Sequence, residues 1–324
     1  MTERVNITII GLGRIGVSMG LALKQAENVE IVITGHDKEP NRTQQALRRK
    51  AIDKGDWNLP RSVEKADLVI LALPLSEIRD TLTYIADVLR PNAVVTDTAI
   101  LKAPVLLWAK EILPQNVHFV GGHPIVRDII PDVDAARADI FRGEVYVVCT
   151  TVLAQPKAVK LVTNMINLLG ARPLFMDPQE HDALIAGVEQ APYVLAMVLT
   201  HAVTQSSGWS DMRKLAGAQL EASTFTASTD PADLALQFQE NREHLLSWID
   251  LLQRYLAYWR QLIEEESPER VGEVIETLMT ARREWIEAAL KGKWEEESPA
   301  ERAFPLASWL FGEFLIGRRR KRPK

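Results

Sequence analysis

The chain has 324 residues, about twice the roughly 150 of a typical domain, so two domains are expected and a single small module is excluded. With 47% hydrophobic and 25% charged residues, its composition is that of a folded globular protein and excludes a disordered or fibrous chain. The formal net charge is −5 and the last seven residues are strongly basic, so the remaining body is more acidic still, which argues against a broad nucleic-acid surface. Cys149 is the single cysteine, which excludes an intrachain disulfide and a cysteine-based zinc cluster and fits the reducing cytoplasm. No metal site is expected. The N-terminus has no basic region followed by an apolar run, so no signal peptide is read, and no run of 18 consecutive apolar residues points to a membrane span.

Short β-rich runs over 5–10, 29–35, 68–73, 93–96, 118–120 and 145–150 alternate with helical stretches, the pattern of βαβ units around a parallel sheet. The apolar run Leu68-Val69-Ile70-Leu71-Ala72-Leu73 suits a central strand buried on both faces. After about residue 153 the pattern changes to long helices, roughly 155–169, 178–205, 231–265 and 268–292, with turns marked by Gly170, Pro178, Asp230-Pro231 and Ser267-Pro268. The fold class expected is α/β: an N-terminal doubly wound sheet over residues 1–153, an all-α part over 154–292 and a tail over 293–324.

Leu245, Leu246, Ile249, Leu252, Leu256 and Trp259 recur at spacings of three and four and make one apolar stripe. That stripe needs a partner, either a helix of the same chain or the same helix of a second one. The tail joins an acidic run, an apolar stretch over 304–316 and the basic end. It reads as a docked or frayed appendage too short to span a bilayer.

Gly11-Leu12-Gly13-Arg14-Ile15-Gly16 follows a predicted strand and opens a predicted helix, the context in which G-x-G-x-x-G carries information. The first glycine permits the tight turn, the second a close approach to a pyrophosphate, and the third the packing of helix on strand, while the helix N-terminus offers free N–H groups to the anion. Asp37 lies 21 residues beyond Gly16 at the end of the second strand, where a carboxylate accepts from a ribose 2′-hydroxyl and repels a 2′-phosphate. NAD is therefore expected over NADP, a choice that Lys38 and Arg42 blunt.

Gly121-Gly122-His123-Pro124 follows an apolar strand and puts His123 at the carboxyl edge of the sheet, where such folds bind ligands and where an imidazole can exchange a proton near neutral pH. A turn histidine capping a backbone group is the alternative. Asp97 and Lys102 flank the end of the fourth strand, and read alone they are equally an ion pair across a helix start. Asp182, in His181-Asp182, reads as a favourable first-turn charge on a helix. Glu189, Gln190 and Tyr193 interrupt an apolar helix beside Pro192, so they should face a cavity or a subunit seam, because burial without partners costs about 1–3 kcal/mol each.

In order and spacing, Gly11–Gly16, Asp37, Ala72-Leu73-Pro74, Asp97 with Lys102, Gly121-Gly122-His123-Pro124, His181-Asp182, Pro192 and Asp230-Pro231 with Asn241 resemble the prephenate/arogenate dehydrogenase family of tyrosine biosynthesis. The resemblance covers roughly residues 5–290 and implies a Rossmann-type dinucleotide domain, a helical C-terminal dimerisation domain, a homodimer and a small-molecule substrate held between the domains. It implies cofactor contacts at Gly11, Gly13, Arg14, Ile15, Gly16, Asp37, Leu73, Pro74 and Asp97. It implies His123 as the base that draws the ring-hydroxyl proton while hydride passes to NAD(P) and carbon dioxide leaves, with Lys102, Gln190, Tyr193 and Phe225 at substrate positions. Three departures stand out: Ile100 replaces a serine, Glu189-Gln190-Ala191-Pro192-Tyr193 lacks both histidines of the family segment, and Phe225 stands where an arginine would bind the substrate carboxylate. Arg127, Lys102 and Arg213 are candidate replacement cations. A non-catalytic dinucleotide-binding regulator and a related reductase with another substrate stay open beside the dehydrogenase.

Overall fold

The computed structural model describes residues 4–27, 29–127, 133–151, 154–225 and 230–292. The basic tail and its apolar stretch lie outside the described residues. The chain falls into two compact units, Met1–Trp259 and Arg260–Lys324.

In the first unit β1 (Arg4–Ile10), α1 (Arg14–Leu23), β2 (Glu30–His36), α2 (Pro40–Arg48), β3 (Lys54–Gly55), α3 (Leu59–Val63), β4 (Leu68–Leu71), α4 (Leu75–Ile85), β5 (Val94–Asp97), α5 (Ala103–Ile112), β6 (His118–Pro124), β7 (Val145–Cys149), α6 (Pro156–Leu168) and β8 (Arg172–Phe175) follow in order. They build one eight-stranded sheet, β3-β2-β1-β4-β5-β6-β7-β8, parallel except for the β6–β7 pair. Parallel strands covered on both faces read as continuous apolar runs, and their alternate residues feed two cores. Ile7, Ile9, Leu68, Ile70 and Val94 pack with Met19 and Leu23 of α1 and Val162 and Ile166 of α6. Ile10, Val69, Leu71 and Val95 turn the other way, onto Ile78 and Leu82 of α4 and Trp108 of α5.

From β1 the chain winds outward to β2 and β3, then returns to β4 on the other side of β1. This reversal opens a crevice at the carboxyl ends of β1 and β4, the usual ligand position in open α/β sheets.

Two strands were not legible. β3 has two residues and β8 only four, one of them Pro173, so neither gives an alternating run. Because β8 pairs with β7, the sheet runs past residue 153 and the stretch after it is not wholly helical.

Beyond β8 come α7 (Pro178–Ile185), a π-helical turn over Ala186–Gln190, α8 (Ala191–Thr204), α9 (Trp209–Leu215), α10 (Ala218–Thr224), α11 (Pro231–Glu240) and α12 (Arg242–Glu265). The expected helix over 178–205 is thus one run with a wide turn inside it, and the helix expected over 231–265 is two. Asn241 leaves helical geometry (φ −114°, ψ 26°) and turns its side chain inward. No glycine or proline marks the break, so apolar spacing reads through it. On α12 Leu245 is buried, whereas Leu246 and Leu256 keep 47% and 60% of their surface exposed. The run Pro178–Thr204 is long and apolar enough to cross a membrane by length and composition, although it contains no 18 consecutive apolar residues.

The second unit holds the end of α12 and α13 (Pro268–Lys291). Ser267 caps α13 by accepting from the Arg270 N–H, Pro268 starts it, and Gly292 in the left-handed region ends it.

Candidate active site

The crevice is a cleft of about 970 Å³ lined by Gly11, Gly13, Arg14, Asp37, Leu73 and Pro74, with His36, Lys38, Arg42 and Tyr84 among its further walls. Gly11 has φ +92°, and a Cβ there would stand 2.2 Å from the Ala72 carbonyl oxygen, so only glycine lets the β1 turn close against the end of β4. At Gly16 a Cβ would meet the Gly11 carbonyl oxygen at 2.0 Å, which is why helix and turn pack so closely. A Cβ on Gly13 would meet nothing within 4 Å, and this open space borders the start of α1. A pyrophosphate fits there: the position offers backbone N–H groups, the positive end of a helix and no side chain in the way. Ile15 and Gly16 sit behind that turn and do not line the cleft.

Asp37 is buried, and its two oxygens accept from the Leu12 N–H (2.7 Å) and the Glu39 N–H (2.8 Å), which fixes the carboxylate at the cleft wall. The Arg42 guanidinium stands 4.0 Å from it on the exposed side.

His123 is the penultimate residue of β6, two strands further along the same carboxyl edge, with 8% of its surface exposed. Its Nδ1 lies 3.0 Å from Nε2 of His181, whose own Nδ1 lies 2.7 Å from Asp182 Oδ1. Asp182 also accepts from the N–H groups of Lys102 (2.8 Å) and Ala103 (2.9 Å), so a carboxylate from α7 caps the N-terminus of α5. Burial, followed by the neighbouring His181 and Lys102, holds the His123 imidazole well below the usual histidine value. A neutral imidazole is a proton acceptor, so this ring is ready as a base through the physiological range.

Asp97 and Lys102, expected at cofactor and substrate, are placed side by side behind the sheet edge. Both are fully buried and paired with each other. Asp97 further accepts from the N–H groups of Gly122 and Ala99 (both 3.0 Å), and Lys102 Nζ donates to the Gly122 carbonyl oxygen (2.7 Å). The pair therefore pins the β5 loop to the Gly-Gly turn before His123, and neither charge opens onto a cleft. Gln190, expected at the substrate, is also fully buried: it donates to the Gln237 carbonyl oxygen (3.1 Å) and accepts from Asn241 (2.8 Å). Tyr193 is half-buried on α8, and Phe225 follows α10 with 53% of its surface exposed. Of the other candidate cations, Arg127 pairs with Glu144 at 2.8 Å and Arg213 is exposed on α9.

The sequence alone offers Asp182 as a first-turn charge and gives His181 no contact with His123. Their sole signal is the His-Asp dipeptide, and only the fold brings it across to β6. Asn241, a landmark of the resemblance, donates to the Asp182 carbonyl oxygen (2.8 Å) as well as to Gln190. Cys149 is buried in β7, and burial pushes its thiol up to about 12, so it is an inert core residue. Among the described residues no group of three His, Cys, Asp or Glu side chains is placed to hold a metal ion.

Residues 19–174 match the profile described as prephenate dehydrogenase, nucleotide-binding domain, and residues 177–278 match prephenate dehydrogenase, dimerization domain. Prephenate dehydrogenase of Bacillus subtilis is 26% identical over 273 residues, spanning 84% of this chain and 73% of its own length. Cyclohexadienyl dehydrogenase of Zymomonas mobilis is 26% identical over 253 residues, 77% of this chain and 85% of that protein. Among solved structures, prephenate dehydrogenase from A. aeolicus in complex with hydroxyphenyl propionate and NAD+ superposes with a TM-score of 0.78 at 26% identity, covering 86% of this chain and 98% of the other. The two profiles between them take in most of the chain, sheet and helical part alike, and the chain belongs to the prephenate dehydrogenase family.

Proposed function

We propose that the chain is an NAD-dependent dehydrogenase that oxidatively decarboxylates prephenate, arogenate or a closely related cyclic hydroxy acid. The observation that carries this reading is His123: a buried, neutral imidazole on the same sheet edge as the dinucleotide cleft. When bound, the nicotinamide takes up the hydride from the hydroxyl-bearing ring carbon. His123 draws the hydroxyl proton as that hydride leaves, then returns it to the oxygen while the carboxylate departs as carbon dioxide and leaves its electron pair in the ring. The ring becomes a phenol, and no proton is gained or lost overall.

The turn from Gly11 to Gly16 and Arg14 hold the pyrophosphate, Asp37 the adenine ribose, and Leu73 and Pro74 the adjoining wall. Asp97 and Lys102 act by holding the backbone on which His123 stands. Tyr193 and Phe225 border the substrate. The sheet-bearing part serves the cofactor, the helices from α7 onward serve substrate and dimerisation, and the protein works in the cytoplasm with Cys149 reduced.

A second reading is favoured by one observation. Lys102 and Arg127 are engaged in ion pairs, and Phe225 replaces the family arginine. A chain without a carboxylate clamp would bind NAD without turnover or reduce another substrate. Assays of NADH and NADPH formation with prephenate, arogenate and small hydroxy acids decide between them. Turnover of a cyclohexadienyl acid with NAD favoured over NADP supports the proposal, and tight NAD binding without turnover of any acid supports the regulator. If Phe225 is a lost anchor, Phe225→Arg lowers KM for prephenate. Strong turnover by the natural chain at low KM would show that another cation holds the carboxylate.

A further inference from the structure

We propose that His181 is a positioning residue that fixes His123 as the tautomer with its proton on Nδ1, leaving Nε2 as the lone-pair base, with Asp182 anchoring the chain of hydrogen bonds. This rests on the reading of His123 as the base and adds what sets its tautomer, in a chain where Ile100 removes the hydroxyl expected to support that histidine. The direction of each hydrogen bond follows from the far end. Asp182 Oδ1 accepts from the Lys102 N–H and Oδ2 from the Ala103 N–H, so the atom facing His181 Nδ1 is an acceptor and that nitrogen must donate. His181 is taken as neutral, so that its second nitrogen, Nε2, accepts and the His123 nitrogen 3.0 Å away donates to it. Nε2 of His123 is left unprotonated, and among the described residues it has no hydrogen-bond partner. Once it takes the substrate proton, the imidazolium that forms still donates from Nδ1 to His181, so the developing charge meets an acceptor already in place.

Charged and titratable groups reach His123 from several elements. His181 and Asp182 face it from α7. Lys102, before α5, is a cation whose charge acts on the ring and is matched by Asp97 of β5. Tyr146 of β7, with its hydroxyl directed at the Asp97 carbonyl oxygen, adds no charge because burial pushes its ionisation up. The two rings meet edge to face with centroids 5.2 Å apart, a geometry that limits rotation about His123 χ2.

The tests use the full chain. His181→Leu removes the acceptor, whereas His181→Gln keeps a carbonyl oxygen that accepts from His123 Nδ1. His181→Leu is expected to lower kcat by on the order of 10²-fold, with NAD affinity and KM changed far less, and His181→Gln to recover at least about a tenth of the natural kcat. Equal losses in both variants, or none in His181→Leu, would overturn the proposal. Nitrogen-15 spectra of labelled histidines, with His123 assigned from its absence in His123→Asn, read the tautomer without any turnover. The expected result is an Nδ1-protonated His123 in the natural chain and in His181→Gln. An Nε2-protonated ring in the natural chain would overturn the positioning role even if the enzyme is active. If no acid is turned over, these spectra still decide the tautomer and only the proposed reaction fails.

Discussion

A neutral histidine buried beside a lysine has a consequence that can be measured in two ways. The base form of His123 prevails above its folded pKa, which lies well below that of an exposed histidine. The acid limb of kcat/KM is therefore expected below about pH 6.5, the unperturbed histidine value, and activity should persist through that pH rather than halve there. Stability has the same sign. Between the folded value and about 6.5 the unfolded chain binds the extra proton, so the free energy of unfolding falls as pH falls across that window. An acid limb centred above pH 6.5 would contradict the burial that holds the ring neutral. At this scale the residues at chain turns were legible, because Gly11, Asp37 and His123 are each tied to a local strand end. Roles that depend on distant partners were not: Gln190 and Lys102 carry polar groups suited to a ligand, and only the fold supplies the Gln237, Asn241, Asp97 and Gly122 partners that absorb them.

The break between α11 and α12 shows how an element boundary arises from a side chain rather than from a helix breaker. Asn241 gives up a helical conformation and places its amide between the Asp182 carbonyl oxygen and Gln190 Oε1, both buried. Asn241→Ala should leave Gln190 Oε1 without this donor, while the Asp182 carbonyl oxygen still accepts from the Ala186 N–H, and lower stability by about 1–3 kcal/mol in chemical denaturation, since a buried unsatisfied group costs that much. An unchanged denaturation midpoint would show that water replaces the amide. The strands of the central sheet were legible from their continuous apolar runs. The edge strands β3 and β8 were not, because two- and four-residue strands carry too little pattern. Gly11→Ala should weaken NAD binding in calorimetry, because φ +92° and the Ala72 carbonyl oxygen leave no room for a methyl group. Unaltered affinity would place the pyrophosphate elsewhere.

At the scale of the whole molecule, the described helices leave apolar surface with no partner among the described residues. Leu246 and Leu256 on α12 and Leu195, Val198 and Leu199 on α8 are exposed. The C-terminal profile is that of a dimerization domain, and a homodimer covering these residues is the account we favour for both the stripe and the apolar run Pro178–Thr204. Light scattering at micromolar concentration is expected to give twice the chain mass of 36.3 kDa, and a monomer would contradict it. The two-part plan of sheet then helices was legible from the change of pattern along the chain. Its boundary was not, because α6 reads like the helices after it yet packs on the sheet, and β8 is too short to announce that the sheet continues.

The most direct test of the central claim is the rate of NADH formation from prephenate or arogenate, at saturating NAD, by the natural chain and by His123→Asn. The account expects turnover of at least one of these acids by the natural chain. It expects a fall in kcat on the order of 10²–10⁴ in the variant with NAD affinity retained, the usual worth of a general base. Equal rates in the two proteins, or NAD binding without turnover of prephenate, arogenate or any related cyclic hydroxy acid by the natural chain, would contradict it.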